Sequence, residues 1–120
     1  MHLPVRQQVI DETVRCVGMA RPIVERVLKQ DKDLASQIRR ALSSVSLNLS
    51  EGFGVEGGNE RLRFQTALGS LYEAKTAVRV AVAWAYVSAE STRELLSALE
   101  RLGGRVYGLS RASRLASAGA

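Results

Sequence analysis

The chain is poor in the residues that most catalytic and metal-binding chemistry requires. Its one histidine, His2, stands next to the first residue, and its one cysteine, Cys16, has no partner for a disulfide or a multi-cysteine zinc site. A lone cysteine is most simply a small buried apolar side chain, and its use fits a reducing cytoplasm. No Glu-x-x-His pair could face into a helical bundle, and no base accompanies a serine or the cysteine. No enzyme activity, cofactor or metal is therefore expected. Long apolar runs are also missing. Segments 41–50 and 80–89, the longest without charge, reach about half of a membrane span, and the first residues lack the basic-then-apolar order of a signal peptide. Neither membrane insertion nor export is expected.

Prolines are limited to Pro4 and Pro22, and no series of turn-bounded strands breaks a sequence rich in Ala, Leu, Val, Arg, Glu and Ser. A chain of 120 residues with that composition reads as one all-helical domain. Four amphipathic segments can be traced by apolar residues three, four and seven apart. The first carries Ile10, Val14, Val17, Val24 and Leu28, with Arg21 on the same stripe, over about 5–29. Pro22 predicts a kink near 18–22 or a division into two shorter helices at "GMARP". The second, about 32–51, has Asp31 or Asp33 as N-cap and a stripe of Leu34, Ile38, Ala41, Leu42, Val45 and Leu49. Gly52 is expected to close it in the left-handed conformation.

Asn59 opens the third segment, about 59–87, with Phe64, Ala67, Leu68, Leu71, Val78, Val82 and Ala85 in register. Its stretch 77–87 alternates like a strand, but alanines fill the other parity and no breaker precedes it, so helix is preferred. Apart from Arg79 that stretch is apolar nearly all round, which predicts self-association through Val80, Trp84 and Tyr86. Ser91 and Glu94 are spaced as a capping box for the fourth segment, about 91–115, whose stripe is Leu95, Leu99, Leu102, Val106 and Leu109. Gly103 and Gly104 interrupt it, weakening it or admitting a close neighbour.

Between the second and third segments, "GFGVEGG" lacks the spacing and the lysine of a phosphate-binding loop and follows a helix, not a strand. Its flanks are more informative. Glu51 at one helix end and Arg61 and Arg63 at the next helix start are each disfavoured by the local dipole, and the turn would let Glu51 pair with Arg61 or Arg63. Ser44, Asn48 and Glu51 form a polar line beside the second stripe, and Ser70 and Glu73 a similar one on the third. An interhelical hydrogen-bond network is preferred to a ligand site.

Lys29, Lys32 and Lys75 are the only lysines among 17 cationic residues, and the formal net charge is +5. Arginine suits bidentate contact with phosphate or carboxylate. Arg39 and Arg40 lie on the second helix, and Arg101, Arg105, Arg111 and Arg114 follow the last acidic residue and avoid the fourth stripe. They form a candidate face for phosphate backbones without base specificity. Tyr107 is the only aromatic nearby, so readout of single-stranded bases is not expected.

The stretches "IRRALSSVSLNLSEGFG" and "ERLRFQTALGSLYEAKTAVRVAVAWAYV" carry Arg40, Ala41, Ser44, Asn48, Leu49, Ser50, Glu51, Gly52, Phe64, Ala67, Gly69, Ser70 and Glu73 in a recognisable order. This pattern resembles the four-helix-bundle family of 23S rRNA-intervening sequence proteins, related to accessory variability determinants of diversity-generating retroelements. The resemblance implies a pentameric barrel with basic surfaces for nucleic acid and a reverse transcriptase. The expectation is an antiparallel up-and-down four-helix bundle in a ring-like homo-oligomer, non-enzymatic and cytoplasmic, binding RNA or RNA–DNA. The alternative is a protein-interaction scaffold whose basic face meets an acidic protein.

Overall fold

Residues 4–54 and 59–119 are described in the computed structural model, with side chains described to residue 116. They form four helices: α1 (Val5–Leu28), α2 (Lys32–Gly54), α3 (Asn59–Ala83) and α4 (Ala89–Gly119). Each helix packs on the next, and α4 returns to α1, while α2 and α3 share the most extensive contact. That ring of neighbours is an up-and-down bundle. At about 1.5 Å per residue the 31 residues of α4 account for most of the 50 Å long dimension. Among the described residues no helix is long and apolar enough to cross a membrane.

The core is built from seams whose spacing alternates between three and four residues, the pattern of left-handed bundle packing. In α2 the seam is Ala35, Ile38, Leu42, Val45, Leu49 and Gly52; in α3 it is Phe64, Ala67, Leu71, Ala74, Val78 and Ala81, all buried. Thr92, Leu95, Leu99, Leu102 and Val106 serve α4.

The stripe expected for α1 holds only in part: Val24 is buried and Ile10 packs against the core, but the main buried seam lies one residue earlier. Val9, Thr13, Cys16, Ala20, Ile23 and Val27 are buried, while Val14, Val17 and Leu28 stand 58%, 39% and 48% exposed. Both sets have the same spacing, and the expected one contains Arg21. Burying that guanidinium would cost more than burying Thr13, whose hydroxyl donates to the Val9 carbonyl at 2.8 Å. The helix also runs unbroken through Pro22. The carbonyl four residues back belongs to exposed Gly18, where water can replace the lost amide partner.

The helix ends depart from expectation for identifiable reasons. Asp31 caps α2, its carboxylate accepting from the Leu34 amide at 2.9 Å. Gly52 does not end that helix, which continues to Gly54 with Gly52 buried in it. A Cβ on Gly52 would lie 2.7 Å from Cε1 of Phe64 and 3.2 Å from Cβ of Arg63, so the glycine lets α3 approach closely. Phe53 meets Phe64 edge-on, ring centroids 5.3 Å apart. The turn expected through residue 58 includes 55–58, outside the described residues, and Asn59 is the first residue of α3.

At its other end α3 stops at Ala83, four residues early. Ala85 has φ 62°, its amide donates to the Val82 carbonyl at 2.9 Å, and the Tyr86 amide reaches the Ala81 carbonyl at 3.0 Å. That pair of bonds is a Schellman termination with alanine where glycine is usual. Ser88, not Ser91, then caps α4: its hydroxyl accepts from the Ser91 amide at 3.1 Å. In the middle of α4 a Cβ on Gly103 would meet Leu71 at 3.4 Å.

Two substitutions test this packing by thermal or denaturant unfolding. Gly52→Ala gains about 1 kcal/mol of helix propensity, yet the overlap with Phe64 costs more, and a net loss of about 1–2 kcal/mol is expected. Ala85→Gly relieves a left-handed alanine and should gain about 0.5–1 kcal/mol net of unfolded-chain entropy.

Candidate nucleic-acid interface

The polar residues around the α2–α3 turn meet in one seam. The half-buried Ser44 and Ser70 hydroxyls share a hydrogen bond of 2.8 Å, and the Asn48 amide nitrogen donates to the Ser44 carbonyl at 2.9 Å and its hydroxyl at 3.0 Å. Arg63 Nη1 donates to the Asn48 side-chain oxygen at 3.4 Å and lies 2.9 Å from Glu51 Oε2. Of the two partners considered for Glu51, the structure brings in Arg63. Arg61 and Glu73 are exposed and make no ion pair among the described residues. No buried side-chain nitrogen or oxygen among the described residues lacks a partner, so the seam offers no unsatisfied group to a ligand.

The arginines do not form one face. Arg39 and Arg40 are exposed on α2, and Arg39 lines a crevice with Val17, Arg21 and Leu42 between α1 and α2. Arg105 is not available. Its guanidinium pairs with Glu12 and donates to Gln8 Oε1 at 3.3 Å, clamping α4 to α1. Sequence reasoning put it outside because it avoids the leucine stripe, but that side of α4 faces α1 rather than solvent. Arg101 is exposed and stands between two crevices, one toward α3 and one over buried Cys16. Burial, then the carboxylate of Glu12, pushes the Cys16 thiol up from its ordinary range, which leaves it a packing residue.

Arg111 and Arg114 lie with Tyr107, Ser110, Gln65 and Leu68 along a shallow groove of about 150 Å³ between the start of α3 and the end of α4. Tyr107 is 54% exposed there. Neither arginine has a carboxylate partner among the described residues. Farther along α3, Tyr72 is 55% exposed with the Lys75 ammonium 5.6 Å from its ring centroid. Lys75 also holds Glu100, whose carboxyl it keeps below the usual range by hydrogen bonding and charge. Sequence reasoning missed Gln65 and Tyr72; their spacing on the outer side of α3 was a signal only once the α4 pairing was known.

Val80, Trp84 and Tyr86 do not share a helical face, because α3 ends between them. Val80 is 38% and Trp84 66% exposed, with the Trp84 ring stacked on Tyr86 at 6.4 Å. Tyr86 is half-buried, and its hydroxyl donates to Asp31 Oδ2 at 3.3 Å, tying this turn to the one before α2.

Ser44 is the hub of the polar seam. Ser44→Ala strips partners from half-buried Asn48 and Ser70 and should cost about 1–2 kcal/mol in denaturant unfolding, whereas exposed Glu73→Ala should stay within about 0.5 kcal/mol of wild type.

Searches of curated proteins and of solved structures find no match. The family described as 23S rRNA-intervening sequence protein matches residues 6–108, from the first turn of α1 into the second half of α4. With that match spanning most of the chain, and with four helices packed in an up-and-down bundle around an apolar core, the chain belongs to the 23S rRNA-intervening sequence protein family.

Proposed function

We propose that this protein is a non-enzymatic, cytoplasmic bundle that binds RNA, or an RNA–DNA hybrid, by neutralising phosphates with exposed arginines. The observation that carries this reading is the groove of Tyr107, Arg111, Arg114 and Gln65, where two guanidiniums without carboxylate partners flank an exposed aromatic ring. Arg39, Arg40 and Arg61 extend the basic surface around the molecule, and they too are exposed. Such contacts supply affinity without base specificity, in keeping with a chain of net charge +5. The family's name ties its members to intervening sequences in ribosomal RNA, which makes RNA the first ligand to test.

One bundle offers few phosphate contacts, and repeated copies would multiply them. Exposed Val14, Val17 and Leu28 on α1, with Val80 and Trp84 at the end of α3, supply apolar surface for self-association. A ring of five is the assembly the family likeness suggests, and a role beside a reverse transcriptase is the accessory function it suggests.

Anisotropy of a labelled RNA, titrated at salt from about 50 to about 200 mM, tests the reading. Wild-type affinity should fall steeply with salt, and Arg111→Glu with Arg114→Glu should reduce the slope of log K against log salt by about 1.4–1.8 per chain. RNA retention that ignores salt, or that survives both reversals unchanged, would count against it.

A further inference from the structure

A second groove lies at the opposite end of the α3–α4 face from Tyr107. It measures about 700 Å³ and runs between the last turns of α3 and the first three turns of α4. Its lining joins Val82, Ala83, Ala89 and Leu96 to Arg79, Arg93 and Arg101. Arg79, Arg93 and Arg101 are exposed and make no ion pair among the described residues. The only carboxylate on the lining, Glu100, is held by Lys75. A lining that joins apolar side chains to three arginines is a poor match to a phosphate backbone, which would leave its apolar part wet. It matches an amphipathic helix carrying carboxylates.

We propose that this groove docks an acidic amphipathic helix of a partner protein. Ala83 and Ala89 are small enough to let a third helix settle between α3 and α4, and the rise from Ala89 to Arg101 is about 18 Å, or some three turns of an occupant. Apolar residues of the occupant at i, i+4 and i+7 would cover Val82 and Leu96, and carboxylates beside them would reach Arg79 on one wall and Arg93 and Arg101 on the other. Charge complementarity selects this occupant over a second copy of the chain. A second copy carries 17 lysines and arginines against 12 acidic residues, a surplus of the same sign as the three arginines of the lining. The site is separate from Tyr107, Arg111 and Arg114, so it stands or falls independently of RNA binding.

The test uses the full chain and a fluorescein-labelled helical probe of about 15 residues, built from Leu, Ala and Glu with leucines at i, i+4, i+7 and i+11. Its scrambled isomer has the same charge without an apolar face. In anisotropy titrations the amphipathic probe should bind at least about tenfold tighter than the isomer. Arg79→Glu with Arg93→Glu should abolish that preference, and so should Ser97→Trp, which fills the trough from an exposed lining position. Circular dichroism checks that these surface variants keep their helices, and RNA retention should be unchanged by Ser97→Trp. Equal binding of the two isomers, no binding of either, or wild-type binding by the variants would overturn the proposal. Displacement of the probe by RNA would give the groove to phosphate. A drop in assembly size on Ser97→Trp, read by analytical ultracentrifugation, would give it to a second copy. Either result would also overturn it.

Discussion

The close approach of α2 and α3 at Gly52 is the constraint on which the other contacts depend. Phe64 is among the largest fully buried side chains, and its ring lies against Gly52, where no Cβ intervenes. That contact sets the separation and the register of the two helices with the most extensive interface. Only in that register do Ser44 and Ser70 come within 2.8 Å, and only then does Arg63 reach both Asn48 and Glu51. The apolar contact brings the helices together, and the hydrogen bonds penalise sliding, because a half-buried hydroxyl or amide without a partner costs about 1–3 kcal/mol.

Once α2 and α3 are paired, the position of α4 decides what the arginines can do. Packed between α3 and α1, it sends Arg105 toward Glu12 and Gln8, where the charge serves structure. Residues on its other flank open onto α3, and there the face divides. Toward the end of α4, Arg111 and Arg114 accompany exposed Tyr107. In its first half, Arg93 and Arg101 line a groove with the apolar Leu96 and with Val82 of α3. The Lys75 and Glu100 pair stands at the edge of that groove, on the side toward Tyr107.

Much of the fold was legible because the signals were local. The α2 and α4 stripes and the Asp31 cap follow from hydrophobic period and capping chemistry within one segment. The errors cluster where two local answers were equally good. In α1, two stripes share one spacing, and the choice turned on keeping Arg21 in water. At the end of α3, alanine occupies a left-handed position that propensity assigns to glycine, so no breaker marked it. Gly52 was misread in the opposite sense. Its type suggested a helix end, whereas its use is a close contact with a residue twelve positions away. Of the candidate interface, the exposure of Arg111 and Arg114 could be expected from charge alone, but Gln65 beside them and the groove lined by Arg79, Arg93 and Arg101 needed both helices in place.

By itself the sequence determined the class of molecule: four amphipathic helices in one chain of net charge +5. These properties follow from residue type and spacing along one chain. The tertiary structure decided which of two α1 faces is buried, where α3 ends, and which arginines remain outside. Each of those depends on the free energy of a side chain in surroundings built by distant residues. Arg21 and Arg105 have the same chemistry, and only the packing of the four helices sends one into water and the other against Glu12.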